Sequence, residues 1–234
     1  MSQLRSGIYA ILDIDRLLPV LPEDPEEERA LLLAYGRAAV EGGAVALQLR
    51  DKRSPPHSLA LLSRFRDLLE AFGEQIPVVM NDHLEAAATF RGRAGLGVHL
   101  GQDDDTPQRA RATLGDDGIV GISTHDLDQL EAARRMPVDY VGFGPVLATD
   151  GKAGAGEARG MAMLQQAASR TAKPVIAIGG LGLDALPDVV AAGATAMAVI
   201  GAWLGPADAP FSVERAGLAM SMLTACWQAE REEA

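Results

Sequence analysis

The chain has 234 residues, is rich in aliphatics and alanine, carries 4% aromatics and 25 glycines, and has a formal net charge of −11. That length affords one α/β barrel or two small domains with a sizeable core, and the composition excludes a fibre or a disordered chain. The acidic balance excludes a broad nucleic-acid surface, which needs a basic field to displace counterions, and the single Cys226 excludes an intramolecular disulfide and a cysteine-rich zinc site.

At the start, "MSQLRSGIYAIL" lacks the apolar run and cleavage site of a secretory signal. No stretch approaches the length of a membrane helix, so a cytoplasmic protein without a membrane partner is expected. Short runs rich in Val and Ile then recur at regular intervals. They are 7–13, 45–51, 77–82, 96–101, 119–125, 139–146, 174–180 and 196–202. Gly, Pro or Asp bounds each run, as expected of buried parallel strands. Amphipathic stretches alternate with them, among them "EEERALLLAYGRAAVEGG", "SLALLSRFRDLLEAFG", "GLDALPDVVAAGA" and "FSVERAGLAMSMLTACW". Eight strands alternating with eight helices predict the α/β class and a closed (β/α)8 TIM barrel. One domain spans 1–234, with a short lead at 1–6 and an acidic, fraying tail from about 228 to 234. An open doubly wound sheet is the alternative; the strand count and the absence of a Gly-rich dinucleotide fingerprint count against it. "LPEDPEEER" and "LGPADAP" read as exposed connections, and Cys226 as a buried structural thiol.

In such a barrel the active site gathers at the C-terminal ends of the strands. The second strand ends in "LQLRDK", where a period of two puts Gln48, Arg50 and Lys52 on the face opposite Leu47 and Leu49. The third ends in Asn81 and Asp82, the fourth in "GQDDD", and the fifth in Ser123, Thr124 and His125. The sixth runs into "FGPVLATDGK", with Thr149 and Lys152 just past its end. Of only three lysines in the chain, Lys52 and Lys152 both sit just past strand ends, where a compact ammonium suits anionic oxygens but is also an ordinary turn residue. Asp82 and Asp104 terminate neighbouring strands, about 5 Å apart, and two such carboxylates suit Mg²⁺, which fills its remaining shell with water and phosphate. Alternatively Asp82 caps the helix of "HLEAAATF" and Asp103 to Asp105 are a solvated charge run. Glycines ahead of the last helices, Gly179–Gly180 and Gly201, suit a phosphate at backbone N–H groups, or merely permit tight turns. His99 reads as a packed or supporting residue, and His125 as a residue placed to polarise or shuttle a proton.

In order along the chain, "LQLRDK", "VVMNDHLEAA", "GVHLGQDD", "GISTH", "DYVGFGPVLATDGK" and "PVIAIGGL…GATAMAVIGA" resemble the thiamine phosphate synthase family, from about residue 7 to residue 202. The resemblance implies a transferase of thiamine biosynthesis. Its substrates are small and phosphorylated, hydroxymethylpyrimidine diphosphate and thiazole phosphate, and its products are thiamine phosphate and pyrophosphate. It implies a dissociative displacement in which pyrophosphate departs first. Arg50, Lys52, Asn81 and Lys152 would hold the diphosphate, Asp82 and Asp104 would bind Mg²⁺, Gln48 would contact the pyrimidine and Ser123 the leaving group. Thr149, Gly180, Ile200 and Gly201 would surround the thiazole phosphate. Two positions depart from the pattern: Gly151 replaces a usual threonine, beside an added charge at Asp150, and Gly201 replaces a frequent serine. Backbone amides could compensate at both. A thiazole tautomerase of the same superfamily, with a histidine at position 125 and a strand-six loop similar to "GKAGAGEARG", is the nearest alternative. A non-catalytic paralogue that binds thiamine precursors is the other. A homo-oligomer is compatible with the sequence.

Overall fold

The computed structural model describes residues 4–55, 57–149 and 157–233. All eight expected strands form, several of them a few residues shorter than the apolar runs. In chain order the elements are β1 (Gly7–Asp13), α1 (Ile14–Leu17), α2 (Pro25–Glu41), β2 (Ala46–Arg50), α3 (Leu59–Phe72), β3 (Val78–Asn81), α4 (Leu84–Ala88) and β4 (Leu96–Leu100). There follow α5 (Pro107–Leu114), β5 (Ile119–Thr124), α6 (Leu127–Arg134), β6 (Tyr140–Phe143), α7 (Met161–Arg170) and β7 (Val175–Ala177). A 3-10 turn (Leu183–Ala185) leads into α8 (Leu186–Ala191), then β8 (Ala196–Val199), α9 (Gly201–Leu204) and α10 (Val213–Glu233). Neighbouring strands pair in parallel and in sequence order, and β8 closes on β1. The chain is a single (β/α)8 barrel.

Local signals explain the helix starts. Asp24 accepts from the N–H groups of Glu26 and Glu27 with Pro25 at the first helical position, and Ser58, Thr106 and Asp126 cap α3, α5 and α6 in the same manner. Neither α1 nor α9 is legible as a helical period, since each has only four residues. The expected fraying tail is instead helical to Glu233. Trp227 is buried and its Nε1 donates to Ser6 Oγ at 3.1 Å, and no helix breaker follows it, so α10 continues although its last turn is exposed. Cys226, on this helix, is half-buried against the core rather than fully buried. Among the described residues no helix is long and apolar enough to cross a membrane.

Strand alternation sorts side chains into two layers. Outward positions such as Leu47, Leu49, Val98 and Val141 join the core between sheet and helices. Inward positions form a smaller interior cluster that includes Tyr9, Ile11, Ala46, Val79, Ile119 and Tyr140. Toward the strand ends the inward positions turn polar: Gln48 follows Ala46, Asn81 follows Val79, and Ser123 follows Ile119 and Gly121. The aliphatic floor and the polar mouth therefore belong to one set of positions.

Gly121 makes room for Tyr140, one of the two tyrosines of the interior. A Cβ there would come within 2.1 Å of Tyr140 Cζ. Gly121→Ala is therefore expected to lower the unfolding free energy by roughly 1–3 kcal/mol, read from chemical denaturation, with a matching disturbance of the mouth above it.

Candidate active site

The strand ends enclose a cavity of about 1070 Å³. Its lining takes in Gln48, Arg50, Lys52, Asn81, Asp82, Asp104, Ser123, Thr149, Gly180, Ile200 and Gly201, so these expected site residues meet at one place. Lys152, with Asp150 and Gly151, lies outside the described residues.

The β2–β4 side carries the charges. Arg50 Nη1 donates to Asp13 Oδ2 at 2.7 Å; burial pushes the Asp13 carboxyl up, and Arg50 opposes that shift. Lys52 Nζ is ion-paired with Asp82 Oδ2. Asp82 has φ +64° in the left-handed region, which an aspartate tolerates better than most side chains. Its N–H donates to His99 O at 2.8 Å, which carries the carboxylate to the mouth. Asp82 does not cap α4: the N-cap position is His83, and it makes no side-chain capping bond. Asp104 Oδ2 accepts from Gly101 N–H at 2.7 Å. A Cβ on residue 101 would stand 2.8 Å from that oxygen, so the glycine lets the loop fold back.

Partial desolvation of an otherwise exposed carboxyl and the neighbouring Asp82 carboxylate raise the affinity of Asp104 for its proton, against the pull of the Gly101 N–H and of Lys52. Among the described residues no group of three or more His, Cys, Asp or Glu side chains could enclose a metal. Two crowded carboxylates fit an ion that draws its other ligands from water and substrate oxygens.

A chain of neutral hydrogen bonds supports the middle of the site. Gln48 Nε2 donates to Tyr9 OH at 3.3 Å, and the hydroxyls of Tyr9 and Tyr140 meet at 2.9 Å. His99 then bridges Tyr140 OH (Nδ1, 3.0 Å) and Ser123 Oγ (Nε2, 2.9 Å), its ring stacked on Tyr140. Burial pushes both tyrosine hydroxyls well up, so they stay protonated. His125 Nδ1 lies 2.6 Å from Gly144 O. A carbonyl only accepts, so Nδ1 carries the proton and, in the neutral ring, Nε2 is an acceptor.

On the β6–β8 side the loop after β6 is stitched to the glycines after β7, Val146 N–H to Ile178 O at 2.8 Å and Leu147 N–H to Gly179 O at 3.0 Å. Gly179 (φ +100°) and Gly180 (φ +67°) are required there, because a Cβ on Gly180 would lie 2.4 Å from Ala148 O. The helices that follow are short, α9 having four residues and α8 six, so little helix dipole is available and any phosphate must rely on backbone amides and nearby cations. Two such cations escape the motif reading, Arg16 and Arg159, both lining the cavity. Arg16 stands three residues past the end of β1, so the rule that strand ends carry the site could have found it.

Comparison with known proteins gives one consistent picture. The family described as thiamine monophosphate synthase matches residues 17–203. The chain is 36% identical over 195 residues to a thiamine-phosphate synthase of Koribacter versatilis, covering 82% of this chain and 86% of that one. It is 41% identical over 182 residues to a thiamine-phosphate synthase of Azorhizobium caulinodans, covering 77% and 83%. Among solved structures it is similar to a thiamine phosphate pyrophosphorylase from Pyrococcus furiosus, with a TM-score of 0.76 and 25% identity over 97% of this chain and 98% of that one.

The raised proton affinity of Asp104 has a sign that can be measured. The fold holds this proton more tightly than the unfolded chain does, so the metal-free protein loses stability as pH rises from the usual carboxylate value of 3.8 through the raised value in the fold. Asp104→Asn keeps an acceptor for Gly101 N–H but no charge. It should make the metal-free protein slightly more stable at pH 7, by under ~1 kcal/mol given the exposure of the group. That gain should vanish near pH 3 in thermal melts.

Proposed function

The chain belongs to the thiamine monophosphate synthase family, and on that premise we infer that it is a transferase that joins hydroxymethylpyrimidine diphosphate to thiazole phosphate, forming thiamine phosphate and releasing pyrophosphate. The observation that carries the reading is the crowding of Asp82 and Asp104 beside Lys52 and Arg50 in the same cavity as a separate, glycine-lined end.

The bond that breaks joins the pyrimidine methylene carbon to the bridging oxygen of the diphosphate, and its electron pair leaves with pyrophosphate. The electron-rich aminopyrimidine spreads the resulting positive charge, and the lone pair of the thiazole nitrogen then forms the new carbon–nitrogen bond. Such a step needs no nucleophilic side chain. It needs charge neutralisation on the leaving group by cations and donors already in position. Arg50, Lys52 and Asn81 supply donors to the diphosphate, joined on the family resemblance by Lys152, which lies outside the described residues. Ser123 donates to the leaving group, and His99 orients its hydroxyl. Gln48 gives its N–H to Tyr9, which turns its carbonyl oxygen toward an amino group of the pyrimidine. Asp82 and Asp104 would hold Mg²⁺, which supplies further neutralisation of diphosphate charge when bound. Thr149, Gly180, Ile200 and Gly201 surround the thiazole phosphate.

A tautomerase activity would find an acceptor in His125 Nε2, yet it would leave the carboxylate pair and its cations without work. A non-catalytic binder would retain ligand affinity without turnover.

The test is direct. Purified protein given both substrates and Mg²⁺ should release pyrophosphate and form thiamine phosphate in equal amounts. Asp82→Asn, which preserves a side chain tolerant of the left-handed backbone, and Arg50→Ala should each lower kcat/KM by about 100-fold or more, with circular dichroism unchanged. No product over hours at millimolar substrate would overturn the synthase reading. Full activity in Asp82→Asn would remove Asp82 from the site.

A further inference from the structure

We propose that Arg16 is the cation that holds the phosphomonoester of the thiazole substrate, in place of the hydroxyl that position 201 lacks. The proposal rests on the synthase reading for the identity of that ligand.

Four guanidinium or ammonium groups among the described residues line the cavity, and they differ in how far they are already neutralised. Arg50 is paired with Asp13, and Lys52 with Asp82. Arg16 makes no ion pair among the described residues, nor does Arg159. An arginine stays charged at any working pH, so a half-buried, unneutralised guanidinium in a polar cavity attracts an anion.

Its placement selects which anion. Arg16 Nη1 donates to Gly205 O at 2.6 Å, which ties the head group to the loop beyond β8. A Cβ on residue 201 would lie 3.2 Å from Nη1, 3.5 Å from Cζ and 3.7 Å from Nη2. The fork therefore lies against the bare backbone of Gly201, and a serine there would crowd it. In barrel order this is the β8–β1 seam, three strands or more from Asp104 and one from the glycines after β7; β2 with Arg50 lies on the other side of β1, but the fork itself is turned to Gly201 and Gly205. The carboxylate pair belongs to the diphosphate; the seam belongs to the other phosphate. The Gly205 contact uses one of five N–H donors, which leaves the fork able to bind two phosphate oxygens in parallel. The guanidinium of Arg16 thus stands where a side chain on residue 201 would reach, a charged fork in the place of the neutral donor that the family resemblance implies there.

The experiment separates charge from strut. Arg16→Gln removes the charge and, being two bonds shorter than Nη1, also the reach to Gly205 O, so the dephosphorylated alcohol serves as the control for loss of that contact. Calorimetry is run with thiazole phosphate and with the dephosphorylated thiazole alcohol, on wild type, Arg16→Gln and Arg16→Gln/Gly201→Ser, alongside turnover with both substrates. Arg16→Gln should weaken thiazole phosphate by about 10- to 100-fold, raise its KM likewise, and leave the alcohol's affinity and the KM for the pyrimidine diphosphate within about twofold. Adding Gly201→Ser should recover part of the loss, about that of one neutral hydrogen bond. Unchanged phosphate affinity in Arg16→Gln, or an equal loss for phosphate and alcohol, would overturn the proposal while turnover by wild type keeps the synthase reading. Arg16-dependent phosphate binding without turnover would do the reverse. No binding of thiazole phosphate to wild type would overturn both.

Discussion

Two like charges are held together at the mouth of this barrel, and much of the site follows from that constraint. Asp82 and Asp104 come from adjacent strands, and the first is fixed by a left-handed backbone and an N–H bond to His99 O. The second is fixed by the turn that Gly101 permits. The Asp104 carboxylate cannot swing away without giving up its bond from Gly101 N–H, and that of Asp82 without giving up Lys52. The proton affinity of Asp104 rises as a result, and Lys52 offsets only part of the repulsion. A cation with oxygen ligands of its own would relieve the rest, so the polypeptide is least comfortable at the place that the proposed reading gives to the diphosphate and a metal. Such local strain is usual at functional sites.

Beneath the charges lies a neutral support. The two tyrosine hydroxyls that meet inside the barrel cannot ionise at ordinary pH, and they pass fixed orientations to Gln48 on one side and His99 on the other. This network lets polar groups sit just above an aliphatic floor without leaving donors unsatisfied. Gly121 is part of the same device, since its missing side chain is the space the Tyr140 ring occupies.

The fold was legible because parallel strands buried on both faces must be short apolar runs, and eight such runs alternated with amphipathic helices. The period of two in "LQLRDK" sorted Gln48, Arg50 and Lys52 from Leu47 and Leu49 correctly. The pairing of these groups was not legible. Nothing in the spacing says that Asp13 meets Arg50 or that Lys52 meets Asp82, because those contacts cross strands and depend on barrel closure. The Tyr9–Tyr140 contact joins residues 131 positions apart. The short helices α1 and α9 span too little chain to show a period, and α1 carries Arg16. The helix that runs through the acidic tail was not legible, because its residues show no apolar period of their own and the helix is anchored upstream, at the buried Trp227.

The view that the carboxylate pair serves a metal-bound diphosphate is tested most directly by calorimetric titration of pyrophosphate with and without Mg²⁺, on wild type and on Asp82→Asn. Linkage requires that Mg²⁺ and pyrophosphate raise each other's affinity by the same factor if they share this site. The expected result is a mutual enhancement of tenfold or more (about 1.4 kcal/mol) in wild type that disappears in Asp82→Asn. Equal pyrophosphate affinity in wild type with and without Mg²⁺, or an enhancement that survives Asp82→Asn, would contradict it.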